Sequence, residues 1–490
     1  MRGTLVFLAL VGCSLGFLES VFDREVCYPP LGCFNTQTVR SLSRAIVLLP
    51  DEPAKIGTRF FLYTRLTPDI SQEEEVSWQD SSLLQKSQFN ASRPTKFIIH
   101  GFTHDAHQPW VQTMKDELLK NADMNVIGVD WRNGARFPYT QATANIRVVA
   151  AELAVLIEQM IKVYPVMQPE DVHIIGHSLG AHCASEVGTR VKRIGRISGL
   201  DPAELYFEGG KEVTRLEPRD AEFVDVIHSD GSAFLSSLGL GYRASTGHVD
   251  FFPNGGGDQP GCAASAVSKI TSSAVNAVTK GGNALTETFA CSHTRAVTYF
   301  TESINSKCPF VAYPCTSYDD FKAAKCLDCS VDKCSTMGYH ADESPSRGNF
   351  YLMTNQKGLS PQCSYHYRVT VKAGLMKDQG YGKVNVTLLD KENQSFGPIS
   401  MTDDDGYLSA NTELTRLIVA PSTFGEIESV KVTYEKSSCL TCFLYTDFFQ
   451  LQSVRLTEGE SQKQSVFCGK NQSIAKDQFR VIPKDTLQGC

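Results

Sequence analysis

A serine stands between two glycines in VHIIGHSLGAHCAS (172–185), directly after an apolar run and before a helix-like one. That hydroxyl is either ordinary turn chemistry or a nucleophile held on a sharp bend. The G-x-S-x-G pattern alone does not decide, since chance supplies it about 0.2 times in a chain of this length with everyday glycine and serine content. The flanking runs do. A nucleophile elbow needs a strand before the serine and a helix after it, and Ser178 has both patterns around it. On such a bend the serine backbone is strained, and side chains two residues to either side would collide. Gly176 and Gly180 remove those side chains. A helix beginning after Ser178 also aims unpaired N–H groups and its positive end at developing negative charge.

A serine nucleophile requires a base, and the base requires an orienting carboxylate. In the strand–turn–helix setting the chain order is Ser, then Asp or Glu, then His. Asp201 closes the apolar run RISGL and, beside Pro202, heads a loop. Beyond it, His228, His248 and His293 fall within the strand–helix portion of the chain, whereas His340 and His366 lie at or past its boundary. His228 ends the apolar run EFVDVIH, where a core histidine is the commoner explanation. His293, in ACSHTRAVTYF just before a helix-like run, is the best placed, although position by itself leaves the choice open. The oxyanion of a tetrahedral intermediate needs backbone N–H donors. Leu179, next to the nucleophile, supplies one, and Phe102 in the HGF loop can supply the other.

These residues need a scaffold, and the first 300 residues or so describe one. TKFIIHGF (95–102), NVIGVDW (125–131), VHIIG, RISGLD and EFVDVIH read as buried strands. Val149, Leu153, Leu156, Met160 and Tyr164 step by three or four, giving one apolar stripe on a helix. Strand–helix alternation implies an α/β fold with a largely parallel sheet, whose functional groups gather at the carboxyl ends of the strands. His100, Asp130, Ser178 and Asp201 all stand at such ends.

The texture changes across 341–362, which are rich in Gly, Pro and Ser. Alternation of period two follows: Val384, Val386 and Leu388 share a face, as do Val430, Val432 and Tyr434. Short alternating strands predict an all-β sandwich of about 125 residues. In it Asn385 points outward, compatible with a glycan on one of the sequons at Asn90, Asn385, Asn393 and Asn471.

Composition narrows the partners. The 490 residues are 42% hydrophobic and 21% charged, ordinary for a globular protein. A formal net charge of −7 with no long Lys/Arg block argues against nucleic acid. The N-terminus reads as a secretory signal peptide (1–18), with cleavage expected between Gly16 and Ser20. Its apolar run is too short to span a bilayer, and no later run reaches 18 residues, so no transmembrane segment is expected. Of 16 cysteines, loss of Cys13 leaves an odd number and therefore at least one thiol that is free or paired between chains. In an exported chain, Cys315, Cys326, Cys329 and Cys334 read as disulfides rather than a zinc site.

GHSLGAH, FIIHGF, VDW, GLDPAE and FFPNGG (251–256) together resemble the pancreatic lipase family of animal triacylglycerol lipases. The likeness carries specific motifs from about Cys27 to Phe350 and continues more faintly beyond. It implies an α/β-hydrolase lipase domain over 19–355 and a PLAT-like β-sandwich over 356–490 associated with lipid and a colipase-like protein. Ser178, Asp201 and His293 would be the triad, with Phe102 and Leu179 as the oxyanion hole. A structural calcium would be held in EVTRLEPRD by Glu212, the carbonyl of Arg215, Glu217 and Asp220. Calcium takes oxygen ligands of this sort, but Glu217 stands where aspartate is usual, and its longer arm changes the reach. Cys262 and Cys291 resemble the disulfide at the base of a lid, whose apolar face would be Val267, Ile270, Ala274 and Val278. Met114 and Asn125 occupy positions where pancreatic members often carry a further disulfide, and Leu205 replaces a common proline. Cys183 is expected as a buried thiol behind the nucleophile. The implied activity is secreted triacylglycerol hydrolysis at a lipid–water interface. A phospholipase A1 or galactolipase would use the same triad, and a non-catalytic lipid-binding relative would typically lack the nucleophile.

Overall fold

The structure is a computed structural model that describes residues 24–41, 47–231, 240–262, 291–330, 333–355, 358, 360–402, 405–421, 424–438, 442–485 and 490. The expected signal peptide and the lid face at Val267, Ile270, Ala274 and Val278 lie outside the described residues. Internal contacts divide the chain into two units. The first runs to Asn305 and takes in Gly338–Asp342, and the second comprises Ser306–Met337 and Glu343–Cys490.

The first unit is built on strands β1 (Arg59–Tyr63), β2 (Glu74–Val76), β3 (Thr95–Ile99), β4 (Asn125–Asp130), β5 (Val172–His177), β6 (Arg196–Leu200), β7 (Phe223–Ile227) and β8 (Val249–Pro253). They lie in the order β8-β7-β6-β5-β3-β4-β1-β2. Pairing is parallel from β8 through β4 and antiparallel at β1 and β2. Residues of β4, β5, β6 and β7 are buried along their whole length, which is why these runs are continuously apolar instead of alternating.

Helices α1 (Pro109–Asn121), α2 (Tyr139–Val163), α3 (Leu179–Arg190) and α4 (Arg295–Ser303) accompany the sheet. Of the expected stripe, Val149, Leu153, Leu156 and Met160 are fully buried on α2, whereas Tyr164 caps the helix just past its end and is partly buried. Ala142, Ala150, Ala151 and Ile157 are buried as well, so α2 is enclosed more widely than a single stripe. Asn125, where relatives often carry a cysteine, builds a polar knot at the start of β4. Its amide donates to the carbonyl of Asn90 at 2.9 Å and to Thr95 Oγ1 at 3.1 Å, and its oxygen accepts from Asn90 N at 3.0 Å. These hydrogen bonds tie the start of β4 to the start of β3 and to the Asn90 loop before it.

In the second unit, strands β9 (Ser364–Ala373), β10 (Gly380–Asp390), β11 (Ser395–Ser400), β12 (Gly406–Leu408), β13 (Glu413–Pro421), β14 (Ile427–Lys436), β15 (Phe448–Glu458), β16 (Gln464–Ala475) and β17 (Gln478–Pro483) form two antiparallel sheets. Their orders are β13-β9-β15-β16 and β11-β10-β14-β17, with β12 also paired to β10. Val384, Val386, Leu388, Val430, Val432 and Tyr434 are all buried between them, as the alternation predicted. Asn385 departs from expectation. It is only 8% exposed, and its Nδ2, the atom a glycan would use, donates to Glu435 Oε1 at 2.8 Å. On the outer face of β10 that the alternation assigned to solvent, the Glu435 side chain of the neighbouring strand β14 lies against Asn385.

Disulfides join Cys27 to Cys33, Cys262 to Cys291, Cys308 to Cys363, Cys315 to Cys326, Cys329 to Cys334, and Cys468 to Cys490. The crowded quartet is thus oxidised in adjacent pairs. Cys183 on α3 is a buried free thiol, and burial pushes its ionisation above the ordinary thiol range.

Candidate active site

Ser178 links β5 to α3 with φ 58° and ψ −121°, a region that costs a non-glycine residue on the order of 1–3 kcal/mol. The surroundings enforce it. Ser178 N–H donates to the Leu200 carbonyl at 3.1 Å, and its own carbonyl accepts from Ala181 N at 3.1 Å. A Cβ on Gly176 would stand 2.3 Å from the Gly180 carbonyl oxygen, and one on Gly180 would stand 2.2 Å from that of Ile99. Both glycines are obligatory for the bend. A Cβ on Gly101 would likewise fall 2.8 Å from that of Ser178, so the loop after β3 runs against the serine.

Phe102 follows in that loop. Its ring packs against Phe137 and Tyr139 at centroid distances of 4.8 and 5.1 Å, and Thr103 N–H donates to the Ala135 carbonyl at 2.7 Å. Leu179 is the first residue of α3, where N–H groups have no partner within the helix. The loop that leads to Phe102 and the helix start at Leu179 thus both adjoin Ser178.

Asp201 ends β6 with φ 45°. Its Oδ1 accepts from Ser229 N at 2.7 Å and Asp230 N at 3.1 Å, while Oδ2 lies 2.5 Å from His293 Nδ1. Both side chains are buried. The His293 segment is anchored from two further sides. Ser229 Oγ donates to the Ser292 carbonyl at 2.7 Å, and His177 Nε2 donates to the His293 carbonyl at 3.2 Å. The His177 ring, adjacent in sequence to the nucleophile, lies 4.6 Å from that of His293. The elbow and the Asp–His pair are thus assembled at one point of the sheet edge.

A model of the Lipase family matches residues 24–359. The pancreatic triacylglycerol lipase of Equus caballus is 42% identical over 378 residues, covering 75% of this chain and 79% of that protein. The chain belongs to the pancreatic lipase family. Pancreatic lipase-related protein 2 of Homo sapiens is 38% identical over 431 residues, covering 86% and 89%. That of Sus scrofa is 35% identical over 487 residues and spans 97% and 98% of the two chains.

Within this family member the competing histidines have other duties. His228 is fully buried, with Nδ1 2.7 Å from the Tyr242 carbonyl and Nε2 2.8 Å from Asp250 Oδ1, and it stacks on Phe252 at 4.5 Å. His248 Nδ1 accepts from Val224 N at 3.0 Å. At the other strand ends, His100 Nε2 accepts from Trp131 N at 3.1 Å. Burial works against the charge on Asp130, but hydrogen bonds from the Arg132 side chain and backbone N–H help hold the carboxyl well below the usual range.

Sequence reasoning missed two residues here. His177 is buried, and desolvation followed by the neighbouring histidines keeps it well below the ordinary histidine range, hence neutral. Asp230 sits with an oxygen within 4.8 Å of both an Asp201 oxygen and a His293 nitrogen. Burial, then the Asp201 charge, pushes it up to about 9. Only its place two residues after the strand end at His228 hinted at it.

The residues expected to hold calcium lie on the turns Glu212–Thr214 and Pro218–Asp220 and at Arg215 and Glu217 beside them. The Arg215 carbonyl accepts from Ser185 Oγ, Glu217 Oε1 from Arg215 Nε, Asp220 Oδ2 from Glu217 N and Glu212 Oε2 from Arg219 Nη1. Among the described residues, no helix is long and apolar enough to cross a membrane.

Proposed function

We propose that this chain is a secreted carboxylic ester hydrolase that cleaves triacylglycerol at a lipid–water interface through a Ser178–His293–Asp201 acyl-enzyme cycle. The observation that carries the reading is the strained elbow at Ser178 together with the 2.5 Å Asp201–His293 pair. Ser178 Oγ attacks the ester carbonyl while His293 Nε2 takes its proton. Asp201 holds the Nδ1 proton and stabilises the imidazolium. The N–H groups of Phe102 and Leu179 receive the oxyanion. Collapse expels the alcohol, a diacylglycerol, which leaves with the proton from His293, and water then releases the fatty acid by the same steps.

The relatives named pancreatic triacylglycerol lipase support this substrate, and the disulfides support an oxidising, extracellular setting. On the same reading, 19–355 is the hydrolase part with its lid at 262–291, and 356–490 the part associated with lipid and a colipase-like protein. Phe443 and Leu444 at 77% and 66% exposure support a lipid-facing edge on the latter. The test compares initial rates of the purified chain on emulsified triacylglycerol, phospholipid and galactolipid, with Ser178→Ala as control. The expected result is triacylglycerol turnover abolished by the substitution. Faster turnover of phospholipid or galactolipid would overturn the substrate, and unchanged activity of the control would overturn the mechanism.

A further inference from the structure

Each of the four residues expected to hold calcium has an oxygen engaged by a donor of this chain. Ser185, buried on α3, donates its Oγ–H to the Arg215 carbonyl at 2.8 Å. One neutral side chain thus occupies one of the four expected ligands from the helix side. Arg215 Nε reaches Glu217 Oε1 at 2.6 Å, and Glu217 also accepts the Asp220 N–H. Asp220 Oδ2 in turn accepts Glu217 N–H at 2.9 Å. Glu212 is turned outward, 62% exposed, with Oε2 3.2 Å from Arg219 Nη1. Two guanidinium groups consequently stand on the carboxylates a divalent cation would use. The extra methylene of Glu217, compared with the usual aspartate, gives the carboxylate the reach to turn back onto Arg215.

We propose that the hydroxyl of Ser185 and the Arg215–Glu217 pair take the place of a cation in segment 212–220, so that this family member folds and stays folded without calcium. The proposal does not depend on the catalytic reading, and its test reads melting temperature and bound metal instead of turnover. The purified full chain is melted by calorimetry in excess EGTA and in millimolar calcium, and bound calcium is counted by equilibrium dialysis. A native-state ligand present at a hundred times its Kd would raise Tm by roughly 5 °C. The wild type is expected to shift by less than about 1 °C on that scale, with no stoichiometric calcium. Ser185→Ala/Glu217→Asp uncovers the Arg215 carbonyl and shortens the arm, and is expected to gain a calcium-dependent rise in Tm. A wild type that binds one calcium per chain with a matching rise overturns the proposal. A calcium-insensitive double variant overturns the assignment to these two side chains. If the double variant fails to fold, the wild-type comparison decides alone.

Discussion

Asp201→Asn isolates the role of a single proton. In the native site Oδ1 accepts two backbone N–H groups, at 2.7 and 3.1 Å, and Oδ2 faces His293 Nδ1 at 2.5 Å. An asparagine is held by the same two N–H donors, which only its carbonyl oxygen can satisfy. Its NH2 must then point at His293. Nδ1 becomes the acceptor, the imidazole proton moves to Nε2, and the base can no longer take the proton of Ser178. The expected loss is about 10⁴ in kcat, roughly 5 kcal/mol of barrier. Stability should change little, because both backbone donors keep a partner. Asp201→Ala is the contrasting case: it orphans two buried N–H groups at about 1–3 kcal/mol each and lowers Tm together with activity. Initial rates on an emulsion at saturating interface, read beside calorimetric melting, separate the two effects. An Asp201→Asn protein retaining more than a tenth of wild-type kcat would refute the reasoning, since His293 would then be oriented by some other group.

Asp230 is the nearest such group, and Asp230→Asn tests it. At neutral pH a carboxyl pushed up to about 9 is uncharged, so the amide should leave kcat within about threefold. The raised value also fixes a sign. Folding competes with ionisation of Asp230 in the unfolded chain from about pH 4 up to about 9, so this group costs stability progressively over that window. Melting temperatures of Asp230→Asn should therefore fall less steeply with rising pH than those of the wild type. For the nucleophile, Ser178→Ala should lower turnover by roughly three to six orders of magnitude with Tm preserved, and His293→Ala should add little to it in the double variant. Gly176→Ala forces a methyl to 2.3 Å from a main-chain oxygen, so activity should fall below about 1% or the protein should fail to accumulate. His228→Ala should cost about 2–5 kcal/mol by calorimetry while the folded fraction keeps its kcat. A selective loss of kcat with normal stability would return the base role to His228.

The elbow was legible because its requirements are local. A strand, a serine with φ above zero, two missing Cβ atoms and a helix start all fall within a few residues, and each leaves its mark on residue type. Asp201 was legible for a similar reason, as an acid placed where an apolar strand run stops. The buried strand runs and the apolar faces of the sandwich followed from hydrophobic periodicity, which reports burial whichever partner does the burying. His293 was different. Its residue type and a nearby helix start made it the best placed histidine without deciding the choice, which only the family resemblance favoured; the structure adds a 2.5 Å contact with Asp201 across 92 positions of sequence.

What was hidden depends in each case on an atom arriving from elsewhere. Alternation put Asn385 on the outer face of its strand, but a side chain from the neighbouring strand β14 reaches that face and takes up its amide, at Glu435. Asp230 looked like a loop acid, and only the meeting of the ends of β6 and β7 sets it beside Asp201 and changes its charge. The calcium segment makes the same point with more consequence. Its acids fit the pattern of a metal site when read along the chain, yet what those oxygens bind is decided by a serine on a helix some 30 positions earlier and by the reach of one longer side chain. A ligand pattern records which donors are available. Whether they are free is a property of their neighbours, and the shortest test of that distinction is whether removing the Ser185 hydroxyl and one methylene of Glu217 turns a calcium-indifferent protein into a calcium-dependent one.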